Sequence, residues 1–432
     1  MDAFNKIATP LLALTLFVII IGVILQFVSR FTEGFEDVSN PLYKTQVQLL
    51  SDTYSGTTSG RQPLANGFGD MPESEQILTN FFSLGCRFTG FVGPTNDFFY
   101  DPEVAVQAAV NAGCRTFVLE IDYLDSCTDD RKYFPTLAVR DKNGRLFTNA
   151  SSIKSACNSL QYSTIRDTCK SIATYAYASS CQNKSDPVII VLYFIRQPPG
   201  PPNSEVVLTY FSRVAQMLEP LKDRFLGNEI NGTYYRQKQE SLLLMNKISF
   251  YYNKVLIFSN AYTGGFRDSQ IDKKYKSDQD LDFITNLRLS YTQTQLGVTD
   301  NTQGATFGQL ETVDAYLTIP KDRTSTAVQQ TKQKWTMCFA KDPFESVSAD
   351  TYNNVTTTYG VHCIPIILHD IPANQYMFKN GPFAKYSFIP KPKELRMTKP
   401  PVIIAASPSQ ETNANGGHLT DLSLPGTIVP KK

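Results

Sequence analysis

The chain has little of what a catalyst working near neutral pH draws on. Only three histidines occur, His362, His369 and His418, so chemistry in the rest of the chain would need a proton carrier other than imidazole. Eight cysteines are present without one CxxC pair, which excludes a zinc ribbon and a thioredoxin-like redox motif. The lone tryptophan, Trp335, has no aromatic array around it and reads as a core or interface residue. Neither sign of charge dominates, with 41 Lys plus Arg against 40 Asp plus Glu. No global field therefore draws the chain to nucleic acid or to a membrane surface, no nucleic-acid partner is expected, and any electrostatic recognition is local.

What the chain does have is core-forming content and one long apolar run. Hydrophobic residues make up 42% of 432 positions and aromatic residues 12%, enough for a full core. The uncharged run from Ile7 to Val28 is long enough at about 1.5 Å per residue to cross a hydrocarbon layer of about 30 Å. It reads as a single transmembrane helix over residues 7–28, behind a short tail of residues 1–6, and makes the lipid bilayer a partner. A cleaved signal peptide has a shorter apolar stretch and a small-residue cleavage site, whereas this run ends QFVSRF. Lys6 and Arg30 balance across the run, so the positive-inside rule barely decides the side. Acidic Glu33, Glu36 and Asp37, and N-x-S/T sequons at Asn149, Asn183, Asn231 and Asn354, point to an exoplasmic or lumenal C-terminal domain.

Residues 29–75 are rich in Ser, Thr, Gly, Pro and Asp and read as a stalk with one short amphipathic piece, PLYKTQVQLL. From residue 76 to 397 the pattern changes. Strand-like runs (CRFTGFV, CRTFVLEI, PTLAVR, PVIIVLYF, KVLIFSN, AYLTIP, CIPIIL) alternate with helix-like segments such as PEVAVQAAVNAG, YSTIRDTCKSIATYAYA and SEVVLTYFSRVAQMLEPLK. Alternation of this kind predicts βαβ units and an α/β fold with a parallel sheet, and the element count fits a barrel. PVIIVLYF is apolar throughout, as a strand buried on both faces must be. Residues 398–432 lose all periodicity and read as an extended tail. Cys86, Cys114, Cys338 and Cys363 lie in apolar runs and read as buried free thiols. Cys127, Cys157, Cys169 and Cys181 share one polar stretch and its flanking helix, where one or two disulfides are expected if the compartment is oxidising.

AGCRTFVLEIDY behind PEVAVQAAVN resembles the second barrel strand of eukaryotic phosphoinositide-specific phospholipase C. SIATYAYASSCQNKSDPVIIVLYF resembles the helix and strand around that family's PVILSLE element, and YGVHCIPIILHDIPANQYMFKNGPFAKYSFIPKPKELR resembles the segment ending in its KPxxLR. The three matches keep their order and span about residues 78–397, both halves of the family's barrel. The resemblance therefore implies a phospholipase C-like TIM (β/α) barrel, preceded here by the apolar helix.

The same resemblance implies a lost reaction. The family cleaves a phosphodiester with two histidines and a calcium ion held by Asn and carboxylates. With FFSLGCRFTGF on the first-strand motif, Arg87 falls at the first histidine and Phe88 at the Asn ligand, while PTLAVRDKNGRL puts Arg140 at the second histidine. The next-strand carboxylates fall on Val118 and Glu120, or on Glu120 and Asp122 after a two-residue insertion. Tyr193 replaces the PVILSLE carboxylate, and Phe258 and Asn260 replace two headgroup lysines. Tyr352 sits where the family offers an aromatic residue to the sugar, a position that also suits an ordinary core tyrosine.

Glu120 and Asp122, two apart on a strand, share a face. They stand either as a residual calcium site or as carboxylates paired with a barrel arginine, and no other cofactor is implied. His362 and His369 fall on opposite faces of CIPIIL and suggest no catalytic pair.

Three functions follow from the resemblance. The first is a pseudoenzyme, a membrane-anchored structural or interaction module with protein partners, its address including a virion membrane because the anchor followed by FTEGFE resembles membrane proteins of large DNA viruses. The second is a phosphoric diester hydrolase with a rearranged site. The third is a non-catalytic binder of anionic headgroups through Arg87 and Arg140.

Overall fold

The computed structural model describes residues 41–54, 60–93, 98–123, 132–141, 143–146, 163–226, 242–263, 278–291, 308–371, 374, 377 and 381–398. The apolar run 7–28 lies outside these residues. Among the described residues, no helix is long and apolar enough to cross a membrane.

In chain order the elements are α1 (Pro41–Tyr54), β1 (Phe81–Ser83), β2 (Gly85–Cys86), β3 (Phe91–Val92), β4 (Phe99–Tyr100), α2 (Pro102–Ala112), β5 (Thr116–Tyr123) and β6 (Pro135–Leu137). They continue with α3 (Thr164–Ala176), β7 (Val188–Phe194), α4 (Glu205–Met217), β8 (Val255–Ser259), α5 (Leu281–Ile284), β9 (Leu287–Tyr291) and β10 (Gly308–Thr312). The last are α6 (Val313–Leu317), α7 (Thr324–Gln333), β11 (Trp335–Phe339), α8 (Ala349–Tyr359) and β12 (Phe388–Pro390). Local signals set the helix ends. Asp101, Ser163, Ser204 and Ser348 each accept a backbone N–H from the first turn of the helix that follows, the capping that satisfies an orphan donor. Gly113, with φ of 98°, closes α2 in the left-handed region that glycine adopts without strain.

The sheet runs β2-β5-β7-β8-β9-β10-β11, each neighbour parallel to the next. It closes on itself. Met337 bridges Cys363 and Cys86 bridges Ile366, both parallel, with Arg87 N–H donating to Ile366 O at 2.9 Å and Cys338 N–H to Cys363 O at 3.0 Å. Residues 363–366 are thus the eighth stave. CIPIIL forms no continuous strand there because Pro365 has no N–H to give the ladder. β1 and β12 pair antiparallel beneath the staves and form part of the floor.

Period two sorts the side chains. On β7, Ile189, Val191 and Tyr193 join the barrel interior, while Val188, Ile190, Leu192 and Phe194 join the layer under the helices. Every one of them is buried, as the apolar run predicts. The interior cluster continues through Val118, Leu256, Phe258, Leu289, Leu310, Trp335 and Met337.

The structure corrects several expectations. Residues 29–75 are not all stalk: α1 buries Tyr43, Leu50 and Tyr54, and the Tyr54 hydroxyl donates to Leu368 O at 2.8 Å. Beyond it Gln62 bridges Tyr386, and Leu64 N–H donates to Asp186 Oδ1 at 2.9 Å. Spacings of seven and four put those three α1 side chains on one helical face, a signal that the polar composition hid. AYLTIP is not a strand. Thr312 Oγ1 accepts from Ala315 N–H at 3.2 Å and starts α6 there, so the stave lies just before it, at β10.

PTLAVR contributes only β6, which folds back antiparallel on the end of β5 and is no stave. CRFTGFV divides into β2 and β3 around a turn at Phe88 and Gly90, both at positive φ. Of the four cysteines expected to form disulfides, Cys169 and Cys181 are free and buried. Cys127 and Cys157 lie outside the described residues, as do the tail from residue 399 and Asn149, Asn231 and His418.

Candidate functional site

Barrel sites form where parallel strands end, and here the first residue past β2 is Arg87. Its Nε donates to Glu120 Oε1 at 2.8 Å, from the far end of β5. The guanidinium carbon lies 4.9 Å from the centroid of the Phe88 ring and 4.7 Å from that of Phe339 at the end of β11. Tyr193, at the end of β7, meets Phe339 at 5.0 Å between centroids. Arg87, Glu120, Tyr193 and Phe339 are all buried, so this part of the mouth is a plug made of one ion pair between aromatic faces. Burial pushes the Glu120 carboxyl upward, and the charge and hydrogen bond of Arg87 oppose the shift.

The plug has a conformational cost. Phe88 sits at φ of 52°, a region where a bulky residue is strained. The turn places its ring over Arg87 and against Phe98 and Phe344.

Asp122 lies two residues beyond Glu120 on the same strand face and is fully buried. Arg140 Nε donates to its Oδ2, and Arg196 Nε donates to its Oδ1 at 2.7 Å. Arg140 also donates to Gly144 O at 2.7 Å, and Arg196 lies over the Tyr123 ring at 4.2 Å. Sequence reasoning missed Arg196. Its position just past the end of PVIIVLYF was the available signal, since that is where barrel strands present side chains to the mouth.

The two carboxylates do not fit a calcium site. Calcium takes 6–8 oxygen ligands, but both Asp122 oxygens and one from Glu120 are engaged by guanidinium groups. Phe88 and Tyr193 bring no carboxylate or amide oxygen to replace them. No cluster of three or more His, Cys, Asp or Glu side chains suited to a metal occurs among the described residues.

The other candidates are structural. Phe258 packs edge-on to Trp335 inside the barrel at 4.8 Å between centroids. The Asn260 side chain brackets Phe194, accepting from its N–H at 2.8 Å and donating to its O at 3.2 Å. Tyr352 is buried on α8, outside the barrel wall, and its hydroxyl has no hydrogen-bond partner among the described residues. It lines a cavity of about 10 Å³ with Ser346, Ile366 and Asn374, apart from the Arg87 plug.

The two described histidines, His362 and His369, stand away from the mouth carboxylates. His362 is fully buried at the floor, where its Nδ1 accepts from Thr336 N–H at 3.0 Å. Nε2 therefore carries the proton. It lies 2.9 Å from Thr79 O and 2.8 Å from Lys391 Nζ. Burial drives Lys391 well below the usual lysine range, with the charge of Lys332 adding to the shift, and drives His362 down with help from Lys391. His369 follows the eighth stave, lies edge-on to Phe98 at 5.3 Å between centroids, and is lowered to about 4 by burial.

No protein-family model and no curated protein sequence matches the chain. Solved structures do. It is similar to PLC21 from L. pealei at 14% identity and a TM-score of 0.45, over 78% of this chain and 39% of that one. A calcium-dependent phosphoinositol-specific phospholipase C from Pseudomonas sp gives 12%, 0.43, 76% and 99%, and a Ca+2-dependent phosphatidylinositol-specific enzyme from Streptomyces antibioticus gives 8%, 0.41, 73% and 99%. The chain thus spans about two fifths of the L. pealei protein. The barrel rests on its own strand pairing, and nothing about substrate or reaction follows from likeness at these identities.

Proposed function

We propose that the chain is a catalytically silent barrel, a scaffold or interaction module tethered to a membrane by residues 7–28. The observation that carries this reading is the plug. Where a phosphodiesterase of this architecture would need a proton carrier and room for a phosphate, Arg87 is locked to Glu120 between Phe88 and Phe339. A guanidinium stays protonated at any working pH and cannot act as general base. The described histidines do not supply one at these carboxylates, because His362 is bound at the floor and His369 lies buried behind Phe98. A headgroup reader would need its arginines turned toward a ligand, and Arg87 and Arg140 are each engaged with a carboxylate. The tether rests on the apolar run alone.

The test is release of inositol phosphate from phosphatidylinositol vesicles by the full chain, with and without calcium. No release above a buffer blank is expected, since losing general acid and base assistance alone removes about 10² to 10⁴ in rate. Calcium-dependent release abolished by Glu120→Gln would overturn the reading.

A further inference from the structure

Asn183, Lys184 and Ser185 satisfy the N-x-S/T rule, which in a lumenal chain marks an acceptor for an N-linked glycan on a surface loop. Here the asparagine is completely buried. Its Nδ2 donates to Ser387 Oγ at 2.8 Å and to Asp186 Oδ2 at 3.2 Å. Its Oδ1 accepts from Arg115 Nη2 at 2.8 Å and from Arg61 N–H at 3.2 Å, and the Cys181 thiol donates to it at 3.4 Å. Both N–H bonds and the lone pairs of the carboxamide are in use. The contacts draw together the segment before the barrel, the start of β5 and the chain beside β12.

Glycan transfer would replace one Nδ2–H with an N–C bond to the sugar, the lipid pyrophosphate of the donor leaving and the proton passing to a base. The modified chain would lose the bond to Ser387 or to Asp186. It would also have to house a sugar beside Gly60, which sits at φ of 76° and where even a Cβ would collide with Asn183 Oδ1 and the Cys181 sulfur. A chain glycosylated at Asn183 therefore cannot close this floor.

A second observation points the same way. The Cys114 thiol lies beside that of Cys86, with Cys363 close by, and the six described cysteines are all free and buried. Adjacent reduced thiols persist where the compartment keeps them reduced.

We infer that the barrel folds and works in a reducing compartment without N-glycosylation, on the cytosolic side of any membrane it is tied to. This reverses the side that the sequons alone suggest. The argument stands on the floor of the barrel and holds whether or not residues 7–28 span a bilayer.

Asn354 supplies the readout. It is exposed on α8, where among the described residues its side chain accepts a local bond from Thr358 Oγ1 at 3.0 Å, so a glycan there would leave the fold intact. The experiment expresses the full chain in eukaryotic cells with a sequon-bearing tag ahead of Met1. Glycan occupancy is read by endoglycosidase shift and peptide mass spectrometry, and thiols by alkylation after denaturation.

No glycan on Asn183 or Asn354, with Cys86, Cys114 and Cys363 fully alkylated, is the result expected. A glycosylated tag in that sample supports the tether as well, while an unmodified tag removes the tether and leaves this inference standing. A glycan on Asn354, a glycan on Asn183 in a protease-resistant barrel, or a Cys86–Cys114 disulfide would each overturn it.

Discussion

The two ends of the barrel treat buried charge differently. At the floor, Arg115 gives its hydrogen bonds mainly to neutral acceptors: Ala176 O at 2.8 Å, Asn183 O at 2.6 Å and Asn183 Oδ1 at 2.8 Å. Lys391 lies among His362, Thr331 O and the Phe82 ring. At the mouth each arginine faces a carboxylate, with aromatic rings filling the remaining space. A floor of this kind fixes chain segments to one another, because each of these bonds joins stretches far apart in the chain. A mouth of ion pairs is self-neutralising and closes the space over the strand ends. The same fold thus spends one set of charges on assembly and another on filling what barrel enzymes keep open.

The sharpest way to break this comparison is Arg115→Met. It takes one donor each from Ala176 O, Asn183 O and Asn183 Oδ1, the last two keeping the N–H groups of Asp186 and Arg61, and a loss of roughly 3–5 kcal/mol is expected from urea unfolding. A loss under about 1 kcal/mol would mean that the floor network does not hold the segments together.

The mouth should respond less and in a different way. Arg87→Met alone strands Glu120 in a buried site and should cost about 2–4 kcal/mol. The double change Arg87→Met with Glu120→Leu should return to within about 1 kcal/mol of wild type, because replacing both partners of a buried pair by apolar groups is close to neutral. A double variant as unstable as the single one would make the mouth a network like the floor.

Acid should weaken the molecule through its buried imidazoles. His369 has a folded pKa of about 4 against 6.5 for the free side chain. Between these values the unfolded chain binds more protons, so stability is complete above about pH 6.5 and falls as pH drops toward 4, by up to about 3 kcal/mol. His369→Leu should flatten that slope in a series of unfolding midpoints. Lys391 carries the same sign at higher pH: its folded pKa lies well below 10.5, so its contribution is complete above that value and is lost as pH falls. Lys391→Met should remove the alkaline part of the pH dependence, and an unchanged profile in both variants would contradict the assigned ionisation.

The smallest effect belongs to Tyr352, which serves neither end. Its hydroxyl is buried without a partner among the described residues, so Tyr352→Phe should be neutral or stabilising by up to about 1 kcal/mol. Clear destabilisation by thermal melting would reveal a bonding role for the hydroxyl.

The sequence by itself determined the wall of the barrel. PVIIVLYF, CRTFVLEI and KVLIFSN are apolar runs bounded by capped helices, and a buried parallel strand can be read locally because both of its faces need apolar side chains. The family resemblance brought Arg87, Arg140, Glu120 and Asp122 forward as site positions, and alternation put Glu120 and Asp122 on one strand face, but whether the four meet was not legible in either. What only the tertiary structure decided is how these groups pair. Arg87 takes Glu120, while Asp122 holds both Arg140 and Arg196. Partner choice among buried charges depends on distances across the barrel, which no spacing along the chain encodes.

The same limit explains the sequon. Asn183-Lys184-Ser185 reads as a surface acceptor in one dimension. Only folding brings Arg61, Arg115 and Ser387, from well-separated stretches of chain, onto one carboxamide. A side chain's polarity is local, whereas its burial is a property of everything that closes around it.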